Sequence, residues 1–75
     1  MRIVLSEHFK TEMAADGITL EEIIRAWTAP QIDRPSCDHP GARVRAATQA
    51  DGSRVTVVAR ETVSALTFIT CWRNF

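Results

Sequence analysis

The stretch ARVRAATQADGSRVTVVAR, residues 42–60, alternates apolar and polar side chains on both sides of the pair Asp51-Gly52. Alternation with a period of two is typical of a β-strand that buries one face, and Asp-Gly is a preferred pair at the tip of a hairpin. The stretch therefore predicts an antiparallel hairpin centred on Asp51-Gly52. A run rich in β-branched and aromatic side chains over Ala65–Trp72 predicts a further strand.

Two helices are predicted ahead of the hairpin. Ser6 is a good N-cap for a helix over Glu7–Asp16, and Gly17 ends it because glycine readily adopts the left-handed conformation. Helical spacing of apolar side chains then predicts a second helix over Leu20–Ala29, which Pro30 stops.

The remaining segments are less regular. Residues 30–41 contain all three prolines and predict a loop with a short edge strand around Ile32, while Arg2–Leu5 predict a first strand or an extended lead-in. Helices followed by strands predict one α+β domain over residues 1–75, with two N-terminal helices packed on a twisted antiparallel sheet of three to four strands. A chain of this length builds a single core.

Composition restricts the class of protein. No apolar run approaches the roughly 18 residues that a membrane span needs, so we expect a cytoplasmic protein with no membrane contact. The net charge of zero conceals an asymmetry, because residues 1–40 carry 4 − 7 = −3 and residues 41–75 carry 5 − 2 = +3. This distribution predicts that a surface for RNA lies on the strands and a surface for protein on the helices.

Soft metal ligands are few and poorly spaced. His8, Cys37, His39 and Cys71 are the available side chains, and only Cys37 and His39 approach the close pairing of a structural zinc site. Cys37 beside His39 also leaves open a thiol nucleophile, although no third orienting group is apparent. We expect no metal and no cofactor.

His8 and the arginines of the strands are the remaining candidates for chemistry. Arg43 and Arg45 are two positions apart on one predicted strand, so they project from the same face of it, and so do Arg54 and Arg60 on the next strand. The pairing register between the two strands decides whether all of these arginines share one face of the sheet. A histidine beside fixed positive charge offers the proton transfer and phosphate stabilisation that RNA cleavage requires. The alternative is a solvated histidine at a helix start and an ordinary polar sheet face.

Four short segments follow one another in a recognisable order: HFKTEM (His8–Met13), DGITLEEI (Asp16–Ile23), VTVVAR (Val55–Arg60) and LTFIT (Leu66–Thr70). Together they span nearly the whole chain. In this order the chain resembles the short RelE-like proteins, relatives of the RelE and BrnT toxins that form a small domain-of-unknown-function family.

The resemblance implies a RelE-like fold and a toxin-type endoribonuclease that cleaves RNA by metal-independent acid–base chemistry, with a cognate antitoxin as partner. Four residues are then the catalytic candidates: His8, Arg45, Arg60 and Thr70. Four further basic residues are the candidates for substrate binding: Lys10, Arg43, Arg54 and Arg73.

A second function stays open on the same fold. The zero net charge and the acidic helices are compatible with a non-enzymatic phage or mobile-element module that binds and blocks a host protein, with Trp27, Trp72 and Phe75 as interface anchors. A homodimer is also expected, because pairing protects the unpaired edge of a small sheet.

Overall fold

The computed structural model describes residues 1–75 and contains two helices and one five-stranded sheet. The elements in chain order are β1 (Arg2–Leu5), α1 (Glu7–Asp16), α2 (Leu20–Thr28), β2 (Ile32–Pro35), β3 (Arg43–Thr48), β4 (Arg54–Glu61) and β5 (Ala65–Asn74). The strands lie in the order β1-β5-β4-β3-β2. Neither helix has the length and hydropathy that crossing a membrane requires.

The predicted α+β class, the two helices and the hairpin around Asp51-Gly52 are confirmed. The expectation of an antiparallel sheet of three to four strands is wrong, because the sheet has five strands and is mixed. β1 pairs in parallel with β5, the last strand of the chain, with Ile3 opposite Leu66. A parallel pair needs a long crossover, and here the crossover is most of the chain, so no local pattern signals the pairing.

Hydroxyl caps fix where both helices begin. Ser6 Oγ accepts a hydrogen bond from Phe9 N at 3.1 Å, which satisfies one of the free amides of the first turn of α1. Thr19 and Glu22 form a reciprocal capping box at the start of α2. Gly17 ends α1 with φ of +61°, a value that glycine adopts without strain.

Both helices pack on one face of the sheet, which we call the inner face. Phe9, Ile23 and Trp27 from the helices meet Phe68 and the inward side chains of β4 in one buried cluster. The ring centroid of Phe68 lies 5.2 Å from that of Phe9 and 5.8 Å from that of Trp27. This aromatic contact ties α1 and α2 to the centre of the sheet.

The opposite face, which we call the outer face, carries a second and smaller cluster built on Val44 and Val58. A bulge interrupts β5 here, because the pairing passes from Val58–Thr70 to Ala59–Phe68 and leaves Ile69 without a partner. The extra residue changes the alternation of β5, so that Phe68 lies on the inner face and Thr70 on the outer face.

Candidate functional site

The outer face holds a small cavity bounded by a loop. It has a volume of about 170 Å³, and Val44, Val58 and the half-buried Trp72 line its floor. Residues 36–39, which follow β2, close one side of it, and Arg34 and Thr70 also line it. The cavity therefore combines an apolar floor, an aromatic ring and several polar groups on one side of the sheet.

His8 reaches this face from the start of α1. β1 pairs with β5 only as far as Phe68, so β5 is a free edge beyond that point. Ser6 Oγ donates a hydrogen bond to the carbonyl oxygen of Ile69 at 3.2 Å while it caps α1, and this fixes the first turn of the helix beside the bulge. His8 Nε2 then lies 3.4 Å from Thr70 Oγ1 and 3.8 Å from a carboxylate oxygen of Glu12.

The loop on the other side of the cavity is held by hydrogen bonds. His39 N donates to Ser36 Oγ at 3.1 Å, and Ala42 N donates to the carbonyl oxygen of His39 at 3.0 Å. Arg60 donates from Nε and Nη2 to the carbonyl oxygen of Pro40, at 3.3 and 3.0 Å. The half-buried side chain of His39 is therefore carried by a segment that is fixed at three points.

Three arginines on the outer face have no carboxylate within 4 Å. Arg34 lies opposite Val44, Arg54 opposite Thr48, and Arg60 has the same parity as Val58. None of the three belongs to an ion pair. Their charge is therefore available to an anionic ligand.

The other predicted basic residues lie on the side of the sheet that the helices cover, which we call the helix side, and each of them is paired with a carboxylate. Arg43 Nε is 2.7 Å and Arg45 Nε is 3.3 Å from the carboxylate of Asp33, and these two guanidinium groups hold the pKa of Asp33 below its usual range, that of Arg43 most strongly. Arg45 also stacks on Trp27, with 4.0 Å between its guanidinium carbon and the ring centroid. Lys10 pairs with Glu7 on α1.

Arg73 is the most highly connected side chain of the helix side. Its guanidinium is 2.7 Å from a Glu22 carboxylate oxygen and 2.7 Å from Ser53 Oγ, and it also contacts Asp51 and the carbonyl oxygen of Gly17. The hydrogen bond from Arg73 lowers the pKa of Glu22 below its usual range. Arg73 thus joins the start of α2 to the hairpin tip, with only 11% of its side chain exposed.

The structure brings together only part of the predicted set. His8 and Thr70 meet, and Arg54 and Arg60 lie on the same face as Thr70. Arg45, Lys10, Arg43 and Arg73 lie on the helix side, each beside a carboxylate.

Arg34 was not among the site residues predicted from the sequence. His39 was predicted only as a metal ligand or as the neighbour of a Cys37 nucleophile, and Trp72 only as an interface anchor. Side-chain parity on β2 identifies Arg34 once the register with β3 is known, because Arg34 then shares the face of Val44. His39 and Trp72 become candidates because they line the cavity that contains Thr70.

The two cysteines are in different environments. Burial raises the pKa of the Cys71 thiol to about 11, so this residue is an unreactive part of the core. Cys37 is exposed in the loop and lines the cavity. No three side chains of the metal-binding types come together to hold an ion.

An apolar groove of about 420 Å³ lies on the helix side. It runs between α2 and the β1 edge, and Ile3, Leu20 and Ile24 line it with more than half of each side chain exposed. Of the predicted interface anchors, Trp27 is buried at 9% exposure and lines this groove from below, whereas Phe75 is almost fully exposed at the end of the chain. Trp72 lies on the outer face.

Comparison with protein families shows to which family the chain is similar. The model of a family described as "Domain of unknown function (DUF4258)" matches residues 5–73, which is nearly the whole chain. No curated protein and no solved structure shows significant similarity to this chain.

Proposed function

The chain belongs to the DUF4258 family, and from the geometry of its outer face we propose that it is a RelE-like, toxin-type endoribonuclease. In this proposal it cleaves RNA by acid–base chemistry without a metal ion. The observation that carries the proposal is the position of His8 beside Thr70 on the face that holds the unpaired arginines.

The charge distribution supports RNA as the ligand. On the outer face Arg34, Arg54 and Arg60 have no carboxylate partner, whereas the basic side chains that point to the helices are neutralised by acidic ones. A polyanion therefore gains attraction from the outer face and is repelled by the acidic helices. Trp72 adds an aromatic surface on which an unpaired base can stack.

His8 supports cleavage rather than binding alone. An imidazole can exchange a proton at neutral pH, and the hydroxyl of Thr70, which lines the cavity, lies 3.4 Å from the Nε2 atom of His8. In this proposal Arg34, which lines the cavity, stabilises the negative charge that develops on the phosphate oxygens when the 2′-hydroxyl attacks. Arg45, Arg43, Arg73 and Lys10 are left out of this site, because their ion pairs stabilise the helix side of the fold.

The test uses RNA and DNA of one sequence. We expect the purified protein to cleave single-stranded RNA in the presence of a chelator and to leave the DNA intact, because DNA lacks the attacking 2′-hydroxyl. The double variant His8→Ala, Arg60→Ala should lose cleavage while keeping the wild-type circular dichroism spectrum. Equal cleavage by the double variant would refute the site, and no cleavage of RNA would refute the activity.

A protein partner is the second part of the proposal. As in the toxins that the chain resembles, we place its action in the cytoplasm and its control in a cognate antitoxin. The apolar groove lies beside β1, which is the first strand in the sheet order and has one edge without a neighbouring strand. An extended antitoxin segment can therefore pair with this edge as an added strand and insert an apolar side chain between Ile3 and Leu20. Self-pairing of two such edges would give the expected homodimer.

The groove also favours a second candidate function, a module that binds and blocks a host protein without cleaving RNA. The growth of cells that express the protein distinguishes the nuclease from the binding module. If the wild type arrests growth and degrades RNA while His8→Ala does neither, the nuclease stands. If His8→Ala arrests growth as strongly as the wild type while RNA stays intact, the binding module replaces it.

A further inference from the structure

Cleavage by the 2′-hydroxyl requires two proton transfers. The 2′-oxygen forms a bond to phosphorus and gives its proton to a base, and the bond from phosphorus to the 5′-oxygen breaks as an acid supplies a proton to the leaving oxygen. The products are a 2′,3′-cyclic phosphate and a free 5′-hydroxyl. His8 can serve one of these transfers, so a second group is needed on the same face.

Resting on the proposed ribonuclease function, we propose that His39 supplies the second proton transfer and that Arg60 is a positioning residue that holds His39 in place. Thr70 connects the two histidines, because its Oγ1 lies 3.4 Å from His8 Nε2 and it lines the same small cavity as His39. A scissile phosphate bound at Thr70 would thus lie beside His8 and beside the cavity that His39 lines.

The loop geometry explains how His39 is held. Its amide and its carbonyl oxygen are both hydrogen-bonded, to Ser36 and Ala42, and Pro40 directly after it accepts two hydrogen bonds from the Arg60 guanidinium. A backbone held at these points needs little rearrangement when substrate binds, so the position from which the His39 side chain extends is fixed. Arg60 therefore acts on the reaction through the Pro40 carbonyl.

The charged neighbours of each imidazole differ. His39 shares its cavity with Arg34 from β2 and with Cys37 and Asp38 from its own loop, while Arg60 from β4 lies against the next residue. β3 and β5 contribute only uncharged side chains to the cavity. His8 faces Glu12 on its own helix and the Thr70 hydroxyl on β5. In this arrangement Arg34 is the cation nearest to a phosphate in the cavity.

The first experiment measures single-turnover cleavage of a labelled RNA by the wild type, His8→Ala and His39→Ala. Removing a proton-transfer residue costs about 100-fold or more, so both variants should fall by at least that factor. The wild type should show a bell-shaped dependence of rate on pH, and each variant should lose one limb of it. An RNA with sulfur in place of the leaving 5′-oxygen needs no acid, so it should restore one of the two variants and not the other.

Each result has a distinct meaning. If His39→Ala cleaves within threefold of the wild type with an unchanged pH profile, or if the sulfur substrate restores neither variant, the assignment of His39 is overturned. If the wild type cleaves and only His8→Ala fails, the ribonuclease stands and this inference falls. If the wild type does not cleave RNA, the proposed function itself has failed.

The second experiment tests the positioning role of Arg60 with a double-mutant cycle. Arg60→Ala should lower the rate in the wild-type background and add little to the loss already present in His39→Ala, because both changes disable the same group. Arg60→Lys keeps a donor for Pro40, so it should recover part of the rate and serves if Arg60→Ala does not fold. An equal loss from Arg60→Ala in both backgrounds would show that Arg60 contacts the substrate directly and would overturn the positioning role.

Discussion

The Nε2 atom of His8 lies 3.4 Å from the Oγ1 atom of Thr70, although the two residues are 62 positions apart in the chain. The contact exists because the bulge at Ile69 turns Thr70 to the outer face and because Ser6 anchors the first turn of α1 to that bulge. A helix start and a strand irregularity thus combine at one place, on the face that also carries Arg34, Arg54 and Arg60.

The anchor at Ser6 gives the first prediction. Ser6→Ala removes both the cap of α1 and the hydrogen bond to Ile69, so we expect a loss of about 1 kcal/mol in the free energy of unfolding. For a domain of this size the midpoint of thermal unfolding should fall by about 4–8 °C. RNA cleavage should fall further than stability explains, because His8 loses its fixed position.

Thr19→Ala is the matched control, since it removes the equivalent cap from α2 at a distance from the outer face. It should lower the midpoint by a similar amount and leave the cleavage rate unchanged at a temperature where both variants are folded. Equal cleavage by the two variants would show that the Ser6 anchor has no part in the reaction.

The second prediction concerns RNA binding by the outer face. Arg54→Gln removes one unpaired cation, so RNA affinity should fall and the dependence of log Kd on log salt concentration should become shallower by about 0.7, the value for one contact to a single strand. Fluorescence anisotropy at several salt concentrations measures both quantities.

Arg25→Gln is the control for charge alone. Arg25 is also free of ion pairs but lies on α2 beside Glu21 and Glu22. Its loss should leave both affinity and salt dependence unchanged. If Arg25→Gln weakens binding as much as Arg54→Gln does, RNA is attracted by overall charge and not by the outer face.

The third prediction follows from the ion pair of Arg73 with Glu22. Because the pKa of Glu22 is lower in the folded chain than in the unfolded one, the ionised carboxylate stabilises the fold above about pH 4.3, where free glutamate titrates. This stabilisation is lost as the pH falls through the lowered pKa of Glu22. Asp33 and Asp51 have lowered pKa values as well, and they add to the loss in the same direction.

Urea unfolding between pH 7 and pH 3 checks this. The wild-type midpoint should fall steeply below about pH 5, whereas Glu22→Gln should be less stable at pH 7 and lose less on acidification. Glu21→Gln changes a neighbouring glutamate that forms no ion pair, and it should follow the wild type. Parallel curves for the wild type and Glu22→Gln would refute the role of this pair.

The local parts of the fold were predictable from the sequence because they depend on near neighbours. The cap at Ser6, the glycine end of α1 and the Asp51-Gly52 turn each use residues within a few positions of one another, and each is present where the pattern indicates it. The parallel pairing of β1 with β5 joins the two ends of the chain, so no local pattern encodes it.

The site was harder to predict because it depends on which face each side chain occupies. Arg45 and Arg60 are both arginines on neighbouring strands, yet the register sends Arg45 under Trp27 and Arg60 to the Pro40 carbonyl on the other side. Thr70 occupies the outer face only because a bulge shifts the alternation of β5 at Ile69. A period-two pattern cannot reveal either fact without the pairing partners.

The most direct measurement is the rate at which purified protein cleaves single-stranded RNA in excess chelator, compared among the wild type, His8→Ala and Lys10→Ala. Lys10 is two residues further along α1, is paired with Glu7 and lies on the helix side, so it controls for a change in the same helix. We predict cleavage to a 2′,3′-cyclic phosphate by the wild type and Lys10→Ala, and a loss of at least about 100-fold in His8→Ala. Cleavage of equal rate by His8→Ala, or no cleavage by the wild-type protein, would contradict the account.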